Sequence, residues 1–288
     1  ISITPKAGFY NSIVSFFLKN NSLHFFTGQI WINKKNYRRF FFKKIDKFIY
    51  NNITHLFADS KSQIDFLISQ GFKKKKINLI NNGSICGVDT NLFSCDKYPK
   101  NKKIYQSHND RLLIGYIGRL NYEKGILNLI NCFSMLIKNN YKVSLILVGN
   151  DENNIINVIN NKFSDISKYI IYHNFTNNVI DHYKNLDIFC CPSYREGFGL
   201  SVIEASSFSI PVIGSNIVGL RDSIANNETG LLFDPYNSDD FYNKMKYLLD
   251  NKSLRTSLGQ AGRNRVKKYF EKKEIVNYLK KSIIKIIE

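Results

Sequence analysis

From residue 112 onward, short apolar runs alternate with stretches whose apolar positions recur every three or four residues. The runs at 112–118 (LLIGYIG), 143–149 (VSLILVG), 169–173, 187–191 (DIFCC), 210–214 and 230–233 have strand length and are apolar throughout. Continuous rather than alternating apolarity means that both faces of the sheet are covered. Helical patterns fill the gaps. One spans 123–138, with Ile126, Ile130, Phe133 and Ile137 on a single face, and others span 153–163, 179–186, 199–208 and 220–226. This alternation predicts an α/β domain with a doubly wound parallel sheet. Three more helices are expected at 238–250, 252–269 and 271–288. The last carries Ile275, Leu279, Ile283 and Ile287 beside Lys272, Lys273, Lys280, Lys281 and Lys285. It has an apolar face for the sheet domain or for a crossing to the other domain.

Residues 1–108 read as the second half of another α/β domain. Ser60-x-x-Gln63 has the form of a capping box, Gly71 stops the helix that follows, and 77–80 is a strand. Asn82-Gly83 and Gly87-Val88-Asp89 supply turn chemistry, and the polar stretch 97–110 reads as an interdomain linker. The expected division is therefore 1–108, 109–270 and a C-terminal helix over 271–288. A chain of 288 residues suits two domains. A complete doubly wound domain needs on the order of 150 residues. The first domain is accordingly expected to be incomplete, its opening strands missing ahead of Ile1.

Composition adjusts this picture in two ways. Lys plus Arg number 41 against 23 Asp plus Glu, a formal charge of +18. Asn occurs 36 times and Lys outnumbers Arg 32 to 9, a bias shared by residues with A/T-rich codons, so functional weight falls on the arginines, the clustered glycines and the few glutamates. Five cysteines, at 86, 95, 132, 190 and 191 with no CxxC, argue against a disulfide framework or zinc ribbon and suit a reducing cytosol. No apolar run reaches the roughly 18 residues of a spanning helix. Segment 33–50 (NKKNYRRFFFKKIDKFIY) interleaves seven cations with aromatics and carries one acid. It fits either an anionic membrane surface or a core-facing helix with a solvated basic face. No nucleic-acid motif accompanies the charge, so no nucleic-acid partner is expected.

Candidate chemistry lies at the carboxyl ends of two strands, where open parallel sheets bind ligands. After 112–118 comes Gly118-Arg119-Leu120, then Glu123-Lys124-Gly125. Arg119 and Lys124 would place two cations in the crevice, suited to a diphosphate. Solvated surface residues are the alternative. After 187–191 comes PSYREGFGL, then a helix containing Glu204. Glycines allow close backbone approach, and the helix start supplies N–H groups and a positive dipole end. Glu196 in the loop and Glu204 in the helix can each accept hydrogen bonds from a vicinal diol. An ordinary Gly-rich turn with Glu196 at the helix dipole is the alternative.

GRL-x-x-EKG followed by PSYREGFGLSVIEA resembles the signature of retaining glycosyltransferases of family 4, which have the GT-B fold: two Rossmann-like domains facing a cleft. PVIGSNIVGLRD and NNETGLLFDP match its continuation. ITPKAGF, FFTGQIW, ADSKSQIDFL and NNGSICGVDTNLF resemble bacterial members that build surface polysaccharide or lipid-linked oligosaccharide. The resemblance implies transfer of a sugar from a nucleotide-diphosphate donor, UDP-linked, to a polysaccharide or polyprenyl-linked saccharide with retention, at the cytoplasmic face of the membrane. Arg119 and Lys124 would hold the diphosphate, with Gly118 beside them. Backbone around Gly197, Phe198, Gly199 and Leu200 would bind phosphate and sugar. Glu196 would hold the transferred sugar and Glu204 the ribose. The loop from Asn174 to Val179, with His173 and Phe175 near it, would approach the base. With no DxD sequence, no metal or other cofactor is expected. Many relatives carry His before a Gly in the first domain; here Thr27 precedes Gly28, and His24 lies three residues earlier. Other readings are a truncated, non-catalytic remnant that retains some nucleotide binding, and a sugar-nucleotide epimerase, against which EGFGLSVIEA argues.

Overall fold

A computed structural model of the chain describes residues 1–108 and 110–288, the side chains of Lys102 and Lys103 excepted. The first domain runs α1 (Pro5–Leu18), β1 (Leu23–Phe26), α2 (Asn36–Asn52), β2 (His55–Ala58), α3 (Lys61–Ser69) and β3 (Ile77–Leu79). Its strands form a parallel sheet in the order β1-β2-β3, extended by a bridge between Ser2 and His24. Trp31, Ile49, Ile53, Leu56, Leu67 and Phe72 fill its core. Helix α1 presents only Gly8, Ser12 and Ser15 as buried residues, and this small-residue face lets it lie close over the His24 ring.

The second domain runs β4 (Leu112–Ile117), α4 (Ile126–Lys138), β5 (Val143–Val148), α5 (Ile155–Lys162), β6 (Ile170–His173), α6 (Ile180–Tyr183), β7 (Ile188–Cys191), α7 (Leu200–Ser207), β8 (Val212–Ser215), α8 (Leu220–Ser223), β9 (Gly230–Phe233), α9 (Ser238–Asp250) and α10 (Lys252–Tyr269). Its six strands are parallel in the order β6-β5-β4-β7-β8-β9. The chain winds outward from β4 in one direction, then returns and winds outward from β7 in the other. The reversal opens a crevice between the carboxyl ends of β4 and β7. One face of the sheet packs Leu129, Phe133, Leu145 and Phe241; the other packs Tyr183, Phe189, Val202 and Phe208. The doubly wound α/β reading of this part therefore holds.

Four local expectations need correction. The helix expected at 123–138 opens instead as a 3-10 turn, Tyr122–Lys124, because Gly125 takes a left-handed conformation (φ +69°) before α4 begins. The helices expected at 179–186 and 220–226 shrink to single turns, α6 and α8. The capping box fails: Ser60 makes no capping hydrogen bond and its hydroxyl is buried without a partner. Finally, 97–110 is not a free linker. Tyr105 is buried in the second domain and bonds His182 Nδ1 at 2.6 Å, while Phe93, Cys95 and Tyr98 pack on the same cluster. Asn109, at the expected domain boundary, lies outside the described residues.

The chain passes between domains near Val88 and again near Phe270, side by side. Val88 N–H donates to Phe270 O (2.8 Å), and Lys272 N–H donates to Val88 O (2.9 Å). Helix α11 (Lys272–Ile287) then lies on the first domain. Ile275 is buried there among Leu23, Phe25, Phe57 and Ile80, and the Tyr278 hydroxyl donates to Leu79 O at 3.1 Å. Among the described residues no helix is long and apolar enough to cross a membrane.

Candidate active site

The loops after β4 and β7 are built against each other. Asn121 caps the 3-10 turn by accepting from Lys124 N–H at 3.0 Å. Tyr194 N–H donates to Glu123 O at 2.9 Å, and the Arg195 guanidinium grips the Glu123 carboxylate with two bonds of 2.9 and 2.8 Å. Gly125 lies so close to the Pro192 carbonyl that a Cβ would overlap it. These contacts fix Lys124, whose Nζ donates to Glu196 Oε1 at 2.6 Å. The Ser193 hydroxyl donates to the same oxygen at 2.8 Å. Arg119 sits at the outer edge of the crevice, its side chain more than half exposed, and pairs with Glu152 at 3.2 Å. A hydrogen bond from Asn121, with Arg119 and then Lys124 adding their charge, holds the Glu152 carboxyl below its ordinary range. The two expected cations therefore flank one crevice, Lys124 inside and Arg119 at the rim.

Helix α7 starts from Gly199, which is left-handed (φ +86°) and lends no side-chain cap. Its first-turn N–H groups and positive dipole end are left for a ligand. Phe198 packs its ring into a cluster with Val88, Ile203, Val266 and Phe270. A cavity of about 150 Å³ lies here, lined by Thr27, Asp59, Ser84, Gly197, Gly199 and Leu200. Further along α7, Glu204 accepts from the Tyr183 hydroxyl at 2.8 Å. Burial pushes the Glu204 carboxyl up to about 7, against the lowering effect of that bond.

The first domain contributes groups to which the motif ADSKSQIDFL assigned no role. Asp59, at the end of β2, touches the Gly197 backbone: a Cβ on Gly197 would meet its Oδ2 and Thr27 O at 2.5 Å each. Burial, with Asp222 and Glu196 nearby, raises its carboxyl to about 8 even though its own backbone N–H opposes the rise. The amide orientation of Gln63 that satisfies its neighbours donates to Asp59 Oδ1 (2.8 Å) and Phe26 O (2.7 Å). With Gln63 engaged there, the cap of α3 comes from the other domain. Asp222 accepts from Lys61 and Ser62 N–H at 3.1 Å each, and the Ser62 hydroxyl accepts from Gly219 N–H at 2.9 Å. Asp222 is the acid closing PVIGSNIVGLRD, so the motif was its only signal.

Thr27 lines the cavity, whereas His24 does not reach it. His24 is buried under α1, its Nδ1 2.9 Å from the Ser2 hydroxyl, and burial lowers its pKa to about 4. His173 ends β6 with its ring 4.7 Å from that of His182, and Phe175 is largely exposed. His173 is the last residue of the outer strand β6, and Phe175 lies in the loop just after it. Among the described residues no group of three or more His, Cys, Asp or Glu is placed to hold a metal ion.

The family model described as glycosyl transferases group 1 matches residues 97–265. The capsular polysaccharide biosynthesis glycosyltransferase CapM of Staphylococcus aureus is 30% identical over 271 residues, covering 93% of this chain and 71% of CapM. An N,N'-diacetylbacillosaminyl-diphospho-undecaprenol alpha-1,3-N-acetylgalactosaminyltransferase of Campylobacter jejuni is 26% identical over 251 residues, covering 86% of this chain and 65% of the relative. The chain thus spans about two thirds of the length of these relatives. Among solved structures, the UDP complex of HepE from Anabaena aligns with a TM-score of 0.80 at 17% identity, over 98% of this chain and 77% of that one. Sucrose-phosphate synthase from Thermosynechococcus elongatus aligns at 0.82 and 21%, over 99% and 72%. At such identity these structures speak to the fold, which is GT-B. With the group 1 model matched from the linker to α10 and CapM matched along nearly the whole chain, this protein belongs to the group 1 glycosyl transferases.

Proposed function

We propose that the protein transfers a sugar from a UDP-linked donor to a polysaccharide or lipid-linked saccharide, with retention of anomeric configuration as in family 4. The observation that carries the reading is the Lys124–Glu196 pair at the β4/β7 switch point, with the uncapped start of α7 and Glu204 behind it. Cleavage of the anomeric bond places negative charge on the leaving diphosphate. Lys124, Arg119 and the N–H groups of α7 are positioned to meet that charge with preorganised dipoles and cations. Glu196, anchored by Ser193, would accept from hydroxyls of the transferred sugar. Glu204, once ionised, would accept from the ribose diol.

The names of the two relatives, one in capsule synthesis and one acting on a diphospho-undecaprenol saccharide, support the acceptor class. The UDP in the HepE complex supports the base. No divalent metal takes part in this scheme, since cations and a helix end serve the diphosphate. A polyprenyl-linked acceptor would bring the enzyme to the cytoplasmic face of the cell membrane, with α2 as its basic and aromatic contact.

Calorimetric titration with UDP, GDP and ADP, on this chain and on Glu204→Ala, tests the donor site. Selective UDP binding that weakens at least tenfold in the variant is expected. A folded chain that binds none of the three would overturn the reading in favour of a remnant. Transfer to a lipid-linked saccharide in vesicles, with the new anomeric centre read by NMR, tests the reaction and its stereochemistry.

A further inference from the structure

The loop that lines the donor-side cavity also walls a second site. Thr27 borders the cavity, Gly28 lies against the Glu196 backbone, and Asn33 donates to Tyr194 O at 2.8 Å. Between them, Ile30 and Trp31 face a groove of about 240 Å³ closed by Pro5 and Phe9 of α1 and by Phe42 and Ile45 of α2. The lining is mostly hydrocarbon, and the Trp31 indole N–H is already engaged, donating to Asp46 Oδ2 at 2.7 Å, with both residues buried. An apolar cavity of about 150 Å³ takes a benzene ring, so this groove has room for roughly two five-carbon units.

The rim has a different chemistry. Lys6 lines the groove, Lys34, Lys35 and Arg38 stand at the start of α2, and none of the four forms an ion pair among the described residues. Lys34 follows Asn33, whose bond to Tyr194 O ties this loop to the one after β7, so this cation stands beside the donor crevice. Beyond the rim, Tyr37, Phe40 and Phe41 project into solvent, each more than half exposed. Gly28 and Ile30 are two residues apart, at most about 7 Å along the chain. The apolar slot, the cations at the start of α2 and the transfer cleft are therefore joined by one short loop.

We infer that this groove seats the first isoprene units of a lipid-linked diphosphate acceptor, with Lys34, Lys35 and Arg38 taking its diphosphate. The inference rests on the glycosyltransferase reading above and gives the acceptor a place. A chain seated there leaves over the exposed aromatics of α2 toward the bilayer, and its diphosphate end faces the cleft. Charge complementarity favours a lipid with an anionic head over an uncharged occupant.

Trp31 is the single tryptophan of the chain, so its emission reports on the groove directly. The probes are geranylgeranyl diphosphate, inorganic diphosphate and phosphatidylglycerol vesicles, each titrated against the whole chain. A saturable change in Trp31 emission with geranylgeranyl diphosphate, absent with inorganic diphosphate, is expected. Ile45→Glu should weaken that response at least tenfold while UDP affinity stays at the parent value. Phe42→Asp, on the more open wall, takes its place if Ile45→Glu misfolds. Lys34→Glu combined with Arg38→Glu should weaken it as well. A response to vesicles alone, with none to monomeric geranylgeranyl diphosphate, would mean a general membrane contact and overturn the inference. So would a change in Trp31 that follows protein concentration without lipid, which points to a second copy on this face. UDP binding without any geranylgeranyl diphosphate response overturns the groove alone. A folded chain that binds neither overturns the donor reading too.

Discussion

Lys124 Nζ and Glu196 Oε1 are 2.6 Å apart, and each side chain keeps less than a fifth of its surface exposed. The same oxygen also receives the Ser193 hydroxyl, so Glu196 remains anchored if Lys124 swings toward a phosphate. On the proposed reading the pair is an exchangeable one: the donor would take over its cation while its anion stays at the sugar. Lys124→Ala removes a preorganised charge from the transition state, and such losses cost about 10²–10³ in rate. The expected result is a fall in kcat of that order with donor affinity weakened less. Steady-state transfer kinetics check it, with circular dichroism confirming the fold. An unchanged kcat would remove Lys124 from the mechanism.

Glu204 should give the enzyme a distinct pH dependence. In the folded chain its carboxyl holds its proton up to about 7, whereas the ordinary value is 4.5. Between those values the folded form binds more protons than the unfolded one, so this group's contribution to stability falls as pH rises from about 4.5 to about 7. Glu204→Gln abolishes that loss. Its stability relative to the parent should rise across the window, by at most on the order of 3 kcal/mol above pH 7. Ionisation of Glu204 should add to donor affinity as pH rises, so the parent profile should be steeper than that of the variant, in which only the UDP phosphate and Asp59 still titrate. Melting curves and UDP titrations at pH 5, 6, 7 and 8 measure both.

Asp222 acts across the domain boundary as the cap of α3. Loss of a helix cap costs about 1 kcal/mol. For Asp222→Ala this corresponds to a drop in Tm of roughly 2–4 °C. UDP affinity should change less than kcat/KM for the acceptor, since Lys124, Glu196 and Glu204 all stand in the second domain and only part of the cavity wall comes from the first. Asp222→Asn, which retains an acceptor oxygen, should recover most of both.

Gly125 joins a left-handed conformation to a contact with the Pro192 carbonyl. An alanine there is strained in its backbone and clashes with the neighbouring loop, so Gly125→Ala should destabilise by at least about 2 kcal/mol. Urea denaturation reads the loss. Any folded fraction should show weakened UDP binding, because Lys124 is the preceding residue.

Transfer is expected to proceed at full rate in excess EDTA. Activity that disappears with chelator and returns with magnesium would contradict the metal-free scheme.

Much of the second domain was legible because its strands are continuous apolar runs and doubly wound topology brings the ends of β4 and β7 together. Once those strands are recognised, Lys124 and Glu196 fall into one crevice although 72 residues separate them. Groups whose role depends on the two domains meeting were not legible. Nothing near Ser60 indicates that its helix is capped by Asp222, and the plausible box with Gln63 concealed it, since Gln63 is occupied by Asp59. Nor does the polar run 97–110 announce that Tyr105 dives into the core. One aromatic with a buried histidine partner outweighs eight exposed neighbours among the described residues of that run, and composition averages it away.

The paired crossings at Val88 and Phe270 have a mechanical consequence. Gly87 stands beside them in a left-handed conformation (φ +62°), where a Cβ would press on Phe270 O at 2.7 Å. Two strands bonded side by side behave like a door hung on two pins. The halves can swing about the line joining the pins, but they resist shear and twist, which would pull the two strands out of register. A nick in either strand alone would leave the halves attached yet free to wobble. Such a nicked protein should keep its grip on nucleotide while losing the alignment on which transfer depends.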